Sequence, residues 1–275
     1  MSYAPSRDEL SDLREFAVRV AAEAGELTLT YFGTDLRVET KPDESPVTRA
    51  DREAELLIRE RIAETYPNDA ILGEEFDSRP GDGRRTWIVD PIDGTKSFVA
   101  GVPLYGVLIG LVAGDCDGSE IDSARSLVGV AHFPPLGETL SAARGCGAVW
   151  DAGRGRGERG SVRASAVSSC DSLDRARIMT SDFGSLHRRE PELARRIDDR
   201  VPITRTWGDA YGYYLVATGR ADGIVDPIVS IWDIAPLPVL LEESGGAFSD
   251  LSGRAVLGAS AVASNGLLHS ELVTG

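Results

Sequence analysis

Trp87-Ile88-Val89-Asp90-Pro91-Ile92-Asp93-Gly94-Thr95-Lys96-Ser97-Phe98 reads as a buried strand that stops and delivers two carboxylates three residues apart. The apolar run predicts a strand interior, placed at 86–89. Pro91 has no amide for a sheet ladder, so the strand is expected to end there. Asp90 and Asp93 then fall at a strand end, where α/β proteins tend to place ligands. Gly94 permits a tight turn. The amides of Gly94 and Thr95 become donors suited to a phosphate oxygen. Mg2+ takes a few carboxylates together with waters and substrate phosphate, and Asp90, Asp93 and the Ile92 carbonyl offer that chemistry. Taken alone, two aspartates astride a proline are also what an Asp-Gly turn contains.

Working outward, three further acidic groups sit at predicted element ends. Glu74 and Glu75 follow Gly73 at the end of a strand over 70–72, where paired glutamates otherwise make a solvated loop. Asp233 follows Trp232 and precedes an apolar helix over 234–243. Capping alone would account for it, worth about 1 kcal/mol. Asp51 opens a helix over 51–63 and reads equally as its N-cap. Four carboxylate clusters at element ends are harder to dismiss than any one of them.

Helical spacing of Leu10, Leu13, Phe16, Ala17, Val20, Ala21, Ala24 and Leu27 predicts a first amphipathic helix over about 6–32. Short strands follow at 105–112 and 126–133, with a hairpin formed by 139–143 and 148–151. Beyond a polar loop at 153–160, strands at 177–180, 203–206, 223–225 and 247–249 alternate with helices at 190–197, 209–218 and 234–243. This order predicts an α+β or layered α/β/α architecture. The chain is expected to be one domain over 1–275, with an N-terminal α+β half (about 1–150) and a C-terminal α/β half (about 160–275).

The 275 residues carry a formal net charge of −15, which argues against a nucleic-acid surface. An acidic chain that handles phosphate needs positive charge at its site, and bound metal would supply it. Three scattered cysteines, Cys116, Cys146 and Cys170, fit free thiols in a reducing compartment. A polar N-terminus and the lack of an uncharged apolar run of about 18 residues give the expectation of a cytoplasmic protein without a membrane partner. The glycine pattern Gly155, Gly157, Gly160 matches a dinucleotide loop by letter, but no helix opens there. Asp115, Asp117 and Asp122 begin like a calcium loop and do not continue to its glutamate, so they read as a hairpin connection.

The Asp-Pro-Ile-Asp-Gly-Thr core at 90–95, the preceding Gly73-Glu74-Glu75 and the later Trp232-Asp233 with a helix closing on Gly245-Gly246 resemble the inositol monophosphatase family over about residues 10–265. The resemblance implies an αβαβα sandwich, usually dimeric, and a lithium-sensitive phosphomonoesterase that uses two to three Mg2+ ions. It implies that Glu74 and Asp90 share one ion, that Asp90, Asp93 and Asp233 hold a second, and that Glu75 positions a weaker third. The Ile92 carbonyl would be a further ligand. Pro46-Val47-Thr48-Arg49-Ala50-Asp51 looks like the family segment that supplies an acid, so Asp51 and Thr95 would orient the attacking water, with Glu74 and Thr95 relaying its proton. Lys41 resembles a family lysine near the site. Lys96 stands where a small residue is commoner and would add positive charge near phosphate.

The alcohol is expected to be read by the second half. Trp207-Gly208-Asp209-Ala210-Tyr211-Gly212 together with Val225-Asp226-Pro227 looks more like the histidinol-phosphate phosphatase branch, placed in histidine biosynthesis, than like inositol-specific relatives. Asp209 and Asp226 would hold a cationic amino group, and Ser181 would add a polar contact. Capping by Asp209 and a turn at Asp226 account for the same residues. Inositol monophosphate or a range of sugar phosphates keeps the chemistry and changes the alcohol. A catalytically silent metal- and phosphate-binding regulator is the reading from another class.

Overall fold

The computed structural model describes residues 3, 5–34, 38–40, 46–153 and 162–274. Lys41 and the Gly155–Gly160 pattern lie outside them.

The strand Arg85–Asp93 serves two cores at once, because successive side chains leave opposite faces. Trp87 and Val89 join one apolar cluster with Leu13, Phe16 and Val20 of the helix Arg7–Leu29 and with Ile58 and Ile62 of the helix Arg49–Thr65. Ile88 joins a second cluster with Tyr213 and Val216 of the helix Asp209–Ala217 and with Leu240 and Leu241 of the helix Leu237–Glu243. The Trp87 indole donates to Asp69 at 2.8 Å, and Arg85 donates to the same carboxylate at 2.6 Å, so the start of the strand is pinned.

This strand sits in a seven-stranded sheet. In spatial order the strands are Val162–Ala164, Ala148–Asp151, Glu138–Ala143, Ser126–Phe133, Gly106–Ala113, Arg85–Asp93 and Ala70–Gly73. All pairs are antiparallel except the last, which is parallel and so brings the C-terminal ends of Ala70–Gly73 and Arg85–Asp93 together. A second sheet orders Ile203–Arg205, Arg177–Met179, Gly223–Asp226, Ala261–Ser264 and Ala247–Ser249. Ile224 faces the shared middle helices, while Ile178 and Val225 face Leu186, Leu193 and Ile197 on the far side. The layers are therefore helix, sheet, helix, sheet, helix, the αβαβα sandwich.

Several elements differ from the sequence reading. The strand does not stop at Pro91 but runs to Asp93. Its register against Gly106–Ala113 shifts between Asp90 and Asp93, and a bulge asks no ladder bond of the proline. The helix expected over 234–243 is two, Ile231–Ile234 and Leu237–Glu243, because Pro236 between them has no amide to continue the first. The strand Ala261–Ser264 and the helix Phe183–Arg189 were not anticipated. The segment with Asp117 and Asp122 does connect two antiparallel strands, and both carboxylates are spent on local backbone amides. No helix among the described residues is long and apolar enough to cross a membrane.

The segment carrying Asp233 packs on the large sheet through two bare α-carbons. A Cβ on Gly129 would lie 2.3 Å from the Pro236 carbonyl oxygen, and one on Gly110 would lie 2.9 Å from Ala235. Gly129→Ala is expected to lower unfolding free energy by about 2 kcal/mol, the cost of overpacking a tight contact, as measured by urea denaturation. An unchanged midpoint would mean that this segment retreats without penalty.

Candidate active site

The bulge at 90–93 aims both aspartates of the strand at one point. The Ile92 amide donates to Asp90 Oδ1 at 3.0 Å, which folds the chain across Pro91. Gly94, at φ +81°, then turns it into the helix Thr95–Val99. The first bond of this helix runs from the Phe98 amide to the Gly94 carbonyl, so the amides of Thr95 and Lys96 stand outside the helical ladder.

Asp233 arrives from the opposite side. It is not an N-cap. Ser230 caps its helix, and Asp233 returns a hydrogen bond from the Ser230 amide at 2.7 Å, closing a capping box. Asp51 is placed in the same way: Thr48 is the N-cap of its helix, and its amide and hydroxyl donate to Asp51 Oδ2 at 2.8 and 2.6 Å. The other oxygen of Asp51 accepts from the Thr95 hydroxyl at 3.4 Å, and that hydroxyl also reaches the Ile92 carbonyl at 3.1 Å. Asp51 is therefore not the N-cap that its position suggested but the third-residue acid of a capping box, and its other oxygen meets Thr95.

Asp90, Asp93 and Asp233 each present an oxygen within 4.8 Å of the others. With Glu74, Ile92, Gly94, Thr95, Lys96 and Asp209 they line a cavity of about 210 Å³. Burial pushes Asp90 well above the usual carboxylate range, and the Glu74 and Asp93 charges push it further. Burial, then Asp209 and Asp233, does the same to Asp93, against the Ala210 amide that donates to it at 2.7 Å. Asp233 rises to about 7 through burial and the surrounding carboxylates, against the Ser230 amide. Asp51 is also raised, first by burial. Lys96 is the one cation among the described residues lining the cavity.

Several acids are thus forced together with little compensating charge. An all-oxygen donor set at this spacing fits a hard divalent cation. Binding one would relieve the repulsion that raises these pKa values. Glu74 lies on the cavity wall, outside the tight trio. Glu75 does not line the cavity. Its amide is held at 2.7 Å by Glu55.

Glu55 is a residue that sequence reasoning missed. Its side chain is fully buried, its pKa is raised by that burial, and Arg59 compensates it at 2.7 Å. A Cβ on Gly73 would lie 2.1 Å from its carboxylate, so the Gly73-Glu74-Glu75 corner closes directly over it. The signal was present: Asp51, Glu55, Ile58 and Ile62 follow helical spacing along one buried face, and a charge in an apolar stripe is informative.

The second-half candidates divide. Asp209 lines the cavity as the first residue of its helix, with Gly208 as N-cap, and has φ +51°. Its carboxylate occupies the space above Gly94, 3.1 Å from where a Cβ would stand. Burial raises its pKa, against the Ser181 contact and the Lys96 charge. Asp226 lies beneath the site, 2% exposed, and accepts from the Ser181 amide at 2.6 Å. Burial raises it to about 6, opposed by contacts with Ser181 and Tyr213. Ser181 does not line the cavity; its hydroxyl accepts from the Asp209 amide at 2.8 Å.

The three histidines make hydrogen bonds away from this cavity, to Thr139 (His132), to Phe183 and Asp198 (His187), and to Ser264 and Ser249 (His269).

The model of the inositol monophosphatase family matches residues 9–274. A histidinol-phosphatase of Chlorobaculum parvum is 42% identical, covering 94% of this chain and 94% of its own. A histidinol-phosphatase of Mycobacterium tuberculosis is 41% identical, covering 94% and 95%. Among solved structures, the Thermotoga maritima IMPase superposes with a TM-score of 0.79 at 30% identity, covering 95% of both chains. With Glu74, Asp90, Asp93 and Asp233 of its sequence signature gathered in one cavity of an αβαβα sandwich, the chain belongs to the inositol monophosphatase family.

Proposed function

We propose that this family phosphatase hydrolyses histidinol phosphate to histidinol and orthophosphate, with Mg2+ held by Glu74, Asp90, Asp93, Asp233 and the Ile92 carbonyl. The observation that carries the substrate is the set of relatives at 37–42% identity over nearly the full chain, all named histidinol-phosphatase. The position of Asp209 supports it, since an anionic acceptor on the cavity wall suits a substrate ammonium.

When bound, the ions lower the pKa of water and neutralise phosphoryl charge. The protein's own groups do the rest. The Thr95 hydroxyl, directed by Asp51 and the Ile92 carbonyl, orients a water for in-line attack. Glu74 and the Thr95–Asp51 pair receive the proton that the water gives up. The amides of Gly94 and Thr95, together with Lys96, face phosphoryl oxygens. The new phosphorus–oxygen bond forms as the ester bond breaks, and the leaving alkoxide takes a proton from solvent water. Glu75 supports the acidic corner from outside the cavity, where it would position a weaker ion.

Phosphate release from histidinol phosphate is expected to require added Mg2+, to stop on chelation and to return on its restoration. Asp93→Asn should lower kcat/KM by roughly 10³-fold, the scale of losing a transition-state electrostatic contact. Full activity after exhaustive chelation would overturn the metal reading. Faster turnover of inositol 1-phosphate than of histidinol phosphate would favour the inositol-1-monophosphatase activity for which relatives at 32–33% identity are named. Metal and phosphate binding without any turnover would favour a regulatory role.

Glu55 gives a separate test. Glu55→Gln keeps the shape and removes the buried charge under the Glu74 corner. It should raise the Mg2+ concentration for half-maximal activity by about 10-fold, in the range seen when groups supporting metal ligands are altered. A Mg2+ titration that superposes on wild type would show that the corner holds Glu74 without it.

A further inference from the structure

Asp209 is the one non-glycine residue with positive φ among the described residues. The left-handed region is costly for most residues with a side chain, aspartate is among the few that enter it, and such conformations persist where surrounding bonds fix them. Here two successive amides are fixed. The Asp209 amide donates to the Ser181 hydroxyl at 2.8 Å, and the Ala210 amide donates to Asp93 Oδ2 at 2.7 Å. With both held, the carboxylate is sent over Gly94, which has no Cβ to block it.

Ser181 is in turn held from below. Its amide donates to Asp226 at 2.6 Å, and the neighbouring Thr180 hydroxyl reaches the same oxygen at 3.4 Å. Asp226 ends the strand Gly223–Asp226, which runs parallel to Arg177–Met179, so the C-terminal ends of the two strands lie side by side. Gly208 lets the loops close: a Cβ there would fall 2.3 Å from the Ser181 α-carbon.

We propose that Ser181, clamped by Asp226, is a positioning residue that holds Asp209 in its left-handed conformation and so sets the preference for a cationic alcohol phosphate. The preference rests on reading Asp209 as the acceptor of a substrate ammonium. Asp226 contributes from beneath the site, through Ser181, without touching the substrate.

The test uses the full chain with Ser181→Ala, Ser181→Thr, Asp209→Gly and the Ser181→Ala/Asp209→Gly double variant. Two readouts are taken: kcat/KM for histidinol phosphate against a neutral polyol phosphate, and amide hydrogen exchange over residues 207–213. Ser181→Ala should lower the cationic-to-neutral ratio by about 10-fold, mainly through KM, the loss expected for one hydrogen bond that aims a charge. Ser181→Thr should restore most of it. In the Asp209→Gly background, Ser181→Ala should leave the ratio where Asp209→Gly alone put it, since no carboxylate remains to aim. Exchange at the Asp209 amide should quicken in Ser181→Ala and not in Ser181→Thr.

Equal losses for both esters, an undiminished effect of Ser181→Ala in the glycine background, or unaltered exchange would overturn the proposal. A wild type that shows no preference for the cationic ester would instead overturn the ammonium reading. The exchange result then decides the latch alone, quickened exchange supporting it and unaltered exchange refuting it.

Discussion

Asp90, Asp93 and Asp233 bring oxygens within 4.8 Å of one another in a place largely closed to water. Like charges so near each other raise each other's pKa, and burial raises them again. Left alone, such a cluster would protonate or spread apart. The rest of the site can be understood as what prevents the spreading. Each acid is tied by a bond that has nothing to do with a ligand: Asp90 to the Ile92 amide, Asp93 to the Ala210 amide, Asp233 to the Ser230 amide. These bonds favour the ionised form and fix its direction. They do not remove the repulsion, which leaves a divalent cation as the group that completes the structure.

The layered fold supplies the ties because it brings chain ends together. Parallel pairing of Ala70–Gly73 with Arg85–Asp93 sets Glu74 beside the bulge. The middle helical layer carries Asp209 and Asp233 into the same space, and bare glycines on the sheet let one of those segments approach. Gly129 and Gly110 act on packing, whereas Gly73 acts on electrostatics by making room for buried Glu55. That carboxylate adds a further negative charge near Glu74, offset by Arg59 and the Glu75 amide.

The legible parts of the site were those whose local sequence already interrupts an element. Asp90 and Asp93 flank a proline and precede a glycine, and Glu74 follows a glycine, so a strand end with carboxylates could be read directly. The layered architecture was legible because the helical period is strong in Arg7–Leu29 and the central strands are continuous apolar runs of the kind buried on both faces. What stayed hidden depends on partners distant in sequence. Pro91 inside a strand is intelligible only once the bulge opposite Gly106–Ala113 is known. Ala261–Ser264 is a short apolar run whose identity as a sheet strand comes from its neighbours on both sides. The depth of Asp226 follows from its register beside Thr180 and Ser181, which no local pattern encodes.

A carboxylate has two oxygens, and this site repeatedly spends them separately. Asp51 closes the capping box of its helix with one and meets Thr95 with the other. Asp233 commits an oxygen to its capping box and still stands in the acidic trio. For these two acids the structural bond and a place beside the cavity coexist. In Asp51 the box is what aims the second oxygen. The trio is assembled on the large sheet and the middle helices, while Asp226 and Ser181, which brace Asp209, belong to the second sheet. Asp226 itself is spent beneath the site, on the Ser181 amide, so the carboxylate that reaches the cavity from this side is that of Asp209.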